Sequence, residues 1–70
     1  MKPQEIKRWV GDKVRELREA KGWSQEELGF KSGLHRNYVG RIERGEQNIA
    51  VVNVAKLAKA LGVRPRELLP

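Results

Sequence analysis

Apolar residues recur at Ile6, Val10, Val14 and Leu17 with charged residues between them, the three- and four-residue spacing of an amphipathic helix. Pro3 suits the first turn of such a helix and Gly22, after Lys21, suits its stop, so the pattern predicts a first helix over about residues 4–20. Gly11 weakens its middle by up to about 1 kcal/mol relative to alanine and leaves the segment before it open to being a separate or frayed turn. Ser24-Gln25-Glu26-Glu27 has the form of a capping box and starts a second helix over about 25–32, too short to be stable alone. Ser32-Gly33 ends it, because glycine tolerates a left-handed turn. A third helix follows over about 36–44, closed by Gly45. After the polar loop from Glu46 to Ile49, the residues Val51, Val54, Leu57, Ala58 and Leu61 share one face of a fourth helix that stops at Gly62. Pro65 opens a short fifth helix over about 65–69. The predicted class is all-α: five short helices with tight connections. Trp9 and Trp23 read as aromatics covering the core, since no basic-aromatic strand pattern surrounds them.

The middle of the chain carries a tighter constraint. Around Gly33, the positions of Leu28, Gly29, Leu34, Val39 and Ile42 are those of two helices meeting near a right angle. Leu28, Val39 and Ile42 face the core, Gly29 leaves room for the crossing, and Leu34 plugs the turn. The third helix then lies across the front of the second, where a DNA major groove can receive it, and the helix-turn-helix runs from about Gln25 to Arg44. On a helical wheel Val39, Ile42 and Glu43 turn inward. Asn37, Gly40, Arg41 and Arg44 turn outward, and Arg36 projects from the N-terminal end. That face has no acidic and no bulky apolar group, and Gly40 allows close approach to bases. Arginine can donate two hydrogen bonds to guanine, and asparagine can pair similarly with adenine.

Composition narrows the function classes. The 70 residues suffice for one domain, expected over 1–70, with a thin shared core. Fifteen Lys+Arg against nine Asp+Glu give a net charge of +6, which favours a polyanionic partner. Without cysteine there are no disulfides or thiolate metal sites. No apolar run approaches the roughly 20 residues that span a bilayer and no signal-peptide pattern opens the chain, so a cytoplasmic protein is expected. One histidine, no glycine-rich phosphate loop and no clustered acids leave no catalytic set, so neither an enzyme nor a cofactor is expected.

The stretch Ser24 to Gly45, SQEELGFKSGLHRNYVGRIERG, resembles the phage-repressor-like (Xre) helix-turn-helix family of transcription regulators. The likeness continues through Asn48 and Leu57-Ala58-Lys59-Ala60-Leu61-Gly62 into Arg66-Glu67-Leu68-Leu69, and covers roughly residues 10–69. His35-Arg36-Asn37-Tyr38-Val39-Gly40 with Ile42-Glu43-Arg44-Gly45 is particularly similar to short single-domain members, among them the controller proteins of restriction–modification systems and compact bacterial repressors. The resemblance implies a lambda-repressor-like fold and double-stranded DNA as partner. It implies a phosphate grip for Gln25 at a helix N-terminus, base reading by Arg36, Asn37 and Arg41, and backbone contact by Arg44. Tyr38 matches an aromatic that packs on the domain and can offer its hydroxyl to a phosphate. Arg18 and Glu43 match an ion pair joining the first and third helices, which makes Glu43 structural. If that pair is buried, loss of one partner costs about 3–5 kcal/mol.

The chain departs from the family pattern at three places. His35 stands where Ser, Thr or Asp usually caps the third helix, and either caps through a ring nitrogen or contacts DNA. Gly29 replaces the usual alanine, which is expected to loosen the second helix. Ala50 replaces Ser or Thr and predicts a weaker cap for the fourth.

One short reading helix covers only a few base pairs, so a homodimer on a palindromic operator is expected. Its candidate interface is Ile49, Val52, Leu68 and Leu69, with Val63 and Leu68 equally able to close the core. Ile49, apolar within a polar loop, is the most telling of these. The competing reading is an antitoxin-type module that holds a protein partner as well as DNA, with the partner surface on the domain itself.

Overall fold

Capping chemistry foreseen in the sequence marks where the second helix starts, while the fourth starts without a side-chain cap. In the computed structural model, which describes residues 1–70, α1 spans Pro3–Ala20, α2 Gln25–Ser32, α3 Arg36–Glu43 and α4 Val51–Leu61. A 3-10 turn, Pro65–Leu68, follows α4. Glu5 reaches back to the Lys2 amide at 3.1 Å, and Pro3 occupies the first turn of α1. At α2 the capping box is closed in both directions, Glu27 N–H to Ser24 Oγ at 3.0 Å and Ser24 N–H to Glu27 Oε1 at 3.0 Å. Gly33 ends α2 at φ 76°, the left-handed region, and the Leu34 amide folds back onto the Gly29 carbonyl at 2.9 Å.

Val10 and Val14 of α1, Leu28 of α2, Val39 and Ile42 of α3, and Val54, Leu57, Ala58 and Leu61 of α4 form one buried cluster closed by Leu68. Trp9, Leu17, Trp23, Leu34, Tyr38, Ile49 and Val63 pack around it, half-buried. The whole measures 30 × 23 × 21 Å. No helix is long and apolar enough to cross a membrane.

Several expectations are corrected here. α1 is continuous through Gly11, with no separate or frayed turn. A Cβ at Gly11 would collide with the Ile42 carbonyl and lie 2.9 Å from that of Glu43, so this glycine is where α1 presses against the end of α3. Gly29 leaves room for the crossing as expected, since a Cβ there would stand 2.6 Å from the Leu34 carbonyl oxygen. Val51, assigned to the inward face of α4, is 85% exposed because it opens the helix beyond the edge of the core, and Ile6 is partly exposed near the start of α1. The fifth helix is a single 3-10 turn, since only four residues lie between the extended Arg64 and Leu69. Leu68, offered as an interface residue, is fully buried in the core, whereas Leu69 beside it is exposed.

Candidate nucleic-acid interface

α2 and α3 meet across the Gly33 turn, and their crossing decides which side chains of α3 remain outside. Val39, Ile42 and Glu43 face in, while Arg36, Asn37, Arg41 and Arg44 stand exposed. These four line one concave surface together with Gln25 and Gly40, and no hydrophobic residue borders it.

This surface rests on a buried polar network. Arg18 of α1 grips Glu43 of α3 with two parallel bonds, Nε to Oε2 at 2.7 Å and Nη2 to Oε1 at 2.9 Å. Its remaining Nη1 donates to the Trp23 carbonyl at 2.7 Å, in the loop before α2. Gln25 Nε2 donates to Glu43 Oε1 at 3.1 Å, so the start of α2 is tied to the same carboxylate. The Arg18 side chain is 11% exposed and that of Glu43 3%. The hydrogen bond to Glu43 raises the Arg18 pKa above the ordinary arginine value; desolvation by burial opposes that shift, and the charges of Glu43 and Glu19 add to it. A raised arginine pKa favours the folded state at every pH below the ordinary arginine range and ceases to do so only above it, so this contribution is constant across neutral pH. Three helical segments thus converge on one bidentate pair, and no buried side-chain polar atom lacks a partner.

The other candidate residues are held in different ways. His35 caps α3, its Nδ1 accepting from the Asn37 amide at 3.0 Å, which realises the capping alternative. Tyr38 is half-buried and its hydroxyl accepts from Asn53 Nδ2 of α4 at 3.0 Å. Arg36 Nη1 donates to Glu26 Oε2 at 2.9 Å and Arg44 Nε to Glu46 Oε2 at 3.1 Å, both pairs exposed. The outer face is therefore not free of acids, because Glu26 reaches it from α2 and Glu46 from the loop beyond Gly45. Arg41 has no ion-pair partner among the carboxylates. Gly40 is not bare: Arg44 Nη1 and Gln25 Oε1 lie 3.1 and 3.2 Å from where its Cβ would be. Ala50 offers α4 no side-chain cap, as expected.

Sequence spacing gave no sign of the bonds Glu26–Arg36, Gln25–Glu43 and Tyr38–Asn53, which join residues 10, 18 and 15 positions apart. Local rules reach only one helical turn. The signal available for the first two was the crossing itself, which sets the start of α2 beside α3; Tyr38–Asn53 joins α3 to α4 and had none.

Residues 14–68 match the helix-turn-helix family model HTH_3. The chain is 48% identical to control protein C.BamHI of Bacillus amyloliquefaciens over 65 residues, 91% of this chain and 80% of that protein. Among solved structures, the restriction–modification controller protein C.AhdI of Aeromonas hydrophila superposes with a TM-score of 0.87 at 56% identity, over 90% of this chain and 96% of that one. The DNA-binding domain of the P22 c2 repressor superposes with a TM-score of 0.80 at 29% identity, over 84% and 78%. The all-α architecture above is therefore the lambda-repressor-like fold.

Proposed function

The chain belongs to the helix-turn-helix family HTH_3, non-enzymatic DNA-binding transcription regulators, and on that premise we propose that it is a cytoplasmic homodimer that places α3 in the major groove of a palindromic operator. The observation that carries this reading is the exposed set Arg36, Asn37 and Arg41, mounted on a helix whose inner side is locked by the Arg18–Glu43 pair. Fixed mounting matters because base-edge hydrogen bonds discriminate only when donors arrive in register. Asn37 and Arg41 read base edges. Arg36 does so once it releases Glu26, and Arg44 meets the phosphate backbone once it releases Glu46.

Gln25 serves a phosphate at the α2 N-terminus, where unpaired amides and the helix dipole favour an anion. Tyr38 supports the reading helix from behind through Asn53, with its hydroxyl oxygen toward the backbone. His35 acts through the cap and not through a base.

The dimer surface is argued from apolar groups that the single chain leaves wholly or partly uncovered. Ile6, Ile49, Val51, Pro65 and Leu69 line a groove of about 320 Å³, and Val52 stands 65% exposed beside Val51. Two copies joined there cover side chains that otherwise face water, and a two-fold axis sets the recognition helices about 34–36 Å apart on one face of the duplex. By likeness to C.BamHI and C.AhdI, the role proposed is control of the genes of a restriction–modification system.

Selection of bound sequences from a random double-stranded pool tests the whole proposal, since half-site, spacing and symmetry emerge together. A palindromic consensus with two half-sites is expected. Enrichment of a single asymmetric site, or of no sequence at all, overturns it.

A further inference from the structure

Phe30 is 88% exposed on the last turn of α2, away from the groove around Leu69 and outside the set of residues assigned to DNA. An isolated exposed apolar side chain needs no explanation. This one has a distinctive setting. Trp23 lies half-buried in the same shallow depression, and Lys56 and Lys59 of α4 border it with Lys31. The Lys31 ammonium stands 4.8 Å from the centre of the Trp23 ring and that of Lys21 5.2 Å.

None of these four lysines has a carboxylate partner. Every glutamate of the chain is engaged by another group, and only Glu26, held by Arg36, reaches the far side of Phe30. Glu16, Glu19, Glu26, Glu43 and Glu46 pair with Lys13, Arg15, Arg36, Arg18 and Arg44. Glu5, Glu27 and Glu67 hold the amides at the starts of α1, α2 and the 3-10 turn. Asp12 sits with Trp9, Lys13 and Glu16 on α1, in a different dip. The face therefore joins uncompensated positive charge to exposed aromatic carbon. Phosphates alone would answer the lysines and leave Phe30 in water, and the base edges are already within reach of α3. An acidic polypeptide answers both, with carboxylates for the ammonium groups and an apolar side chain against Phe30 and Trp23.

We propose that the face formed by Trp23, Phe30, Lys31, Lys56 and Lys59 docks an acidic protein segment with an apolar anchor, while α3 remains available to DNA. The proposal goes beyond the DNA-binding reading and does not depend on it. It also gives a location to the protein-partner alternative that the sequence left open.

The test uses the isotope-labelled full chain and two synthetic peptides of equal length and charge, one alternating glutamate with leucine and the other glutamate with serine. The glutamate–leucine peptide is expected to shift the amides of Phe30, Lys31, Gly33, Lys56 and Lys59 saturably and to leave Asn37 and Arg41 in place. Phe30→Ser, at an exposed position that leaves the fold intact, should weaken that binding by about tenfold or more. Lys31→Glu should weaken it as well; Phe30→Ser should leave operator affinity unchanged, and neither variant should change which operator bases are preferred. Absence of saturable binding overturns the proposal, as do equal affinity for the two peptides and shifts centred on α3. Binding of a random-sequence duplex that shifts these same amides and is lost in Lys31→Glu would assign the face to phosphates, and overturns it too.

Discussion

At the α2–α3 face, exposed charges stand on a polar network that is buried and complete; around the start of α4, apolar side chains stand on the core with nothing over them. Arg18, Glu43, Gln25 and the Trp23 carbonyl satisfy one another, so the first region folds without help and its arginines are what remains to be used. Ile6, Val51 and Leu69 face water in the second, and their exposure costs free energy until something covers them. On the proposed function, the contrast separates two roles within 70 residues. A reading surface must be rigid before its ligand arrives, whereas a surface for a second copy gains by being unsatisfied in the single chain.

The largest effect is expected from breaking the closed network. Arg18→Met leaves the Glu43 carboxylate buried without its partner and should cost about 3–5 kcal/mol. That is comparable with the roughly 5–15 kcal/mol that holds a domain together, so chemical denaturation should find the variant largely unfolded or near its threshold. Adding Glu43→Leu removes the stranded charge and should restore much of the loss. A cost below about 1 kcal/mol for Arg18→Met would place the pair with exposed ion pairs and undo the contrast.

Arg41→Ala leaves the network untouched and removes a group that has no ion pair to give up. It should cost about 1–3 kcal/mol of operator binding and relax preference at one position per half-site, with the denaturation midpoint unchanged. Binding competition against single-base operator variants measures this. A uniform loss over all sequences would move Arg41 from base to phosphate.

The open region should respond in the reverse way. Leu69→Ala trims a half-exposed side chain, so the single chain should lose little. If the groove is where two copies meet, each protomer forfeits about 1 kcal/mol of the association energy. Sedimentation equilibrium should then show weaker dimerisation with an unchanged fold. Equal dimerisation by Leu69→Ala and Val52→Ala together would direct the search for the interface elsewhere.

The two regions were not equally legible in the sequence. The helix limits, the Gly33 turn and the inward set Leu28, Val39 and Ile42 followed from capping chemistry and helical period, which act within a few residues. Arg18–Glu43 followed from resemblance, since 25 residues separate its members. Gly11 was misread for the same reason: its cost to α1 is local, but its purpose lies at the α3 carbonyls. At the start of α4 and in the 3-10 turn, period alone failed. Val51 and Leu68 both fit an apolar pattern, yet one opens a helix past the core's edge and the other closes the core, and only the tertiary packing separates them.

The smallest effect, and the finest test of the contrast, concerns how the helices begin. α2 starts with a closed box at Ser24 and α3 with the His35 ring nitrogen, but α4 starts at Ala50, whose side chain accepts nothing. Ala50 has φ −68° and ψ 147°, the extended conformation that a capping serine adopts, so the backbone needs no adjustment. The Asn53 and Val54 amides already bond to the Ala50 carbonyl at 2.9 and 3.0 Å, which leaves a serine hydroxyl to share the Asn53 amide or meet that of Val52. Ala50→Ser should therefore add about 0.5–1 kcal/mol to thermal stability, the lower part of the range for such caps because the Asn53 amide is partly satisfied. Ser24→Ala, which opens a box closed in both directions, should cost more than Ala50→Ser returns. Equal and opposite shifts in Tm would mean that the two helix starts differ only in sequence, and not in how completely the fold has already served their amides.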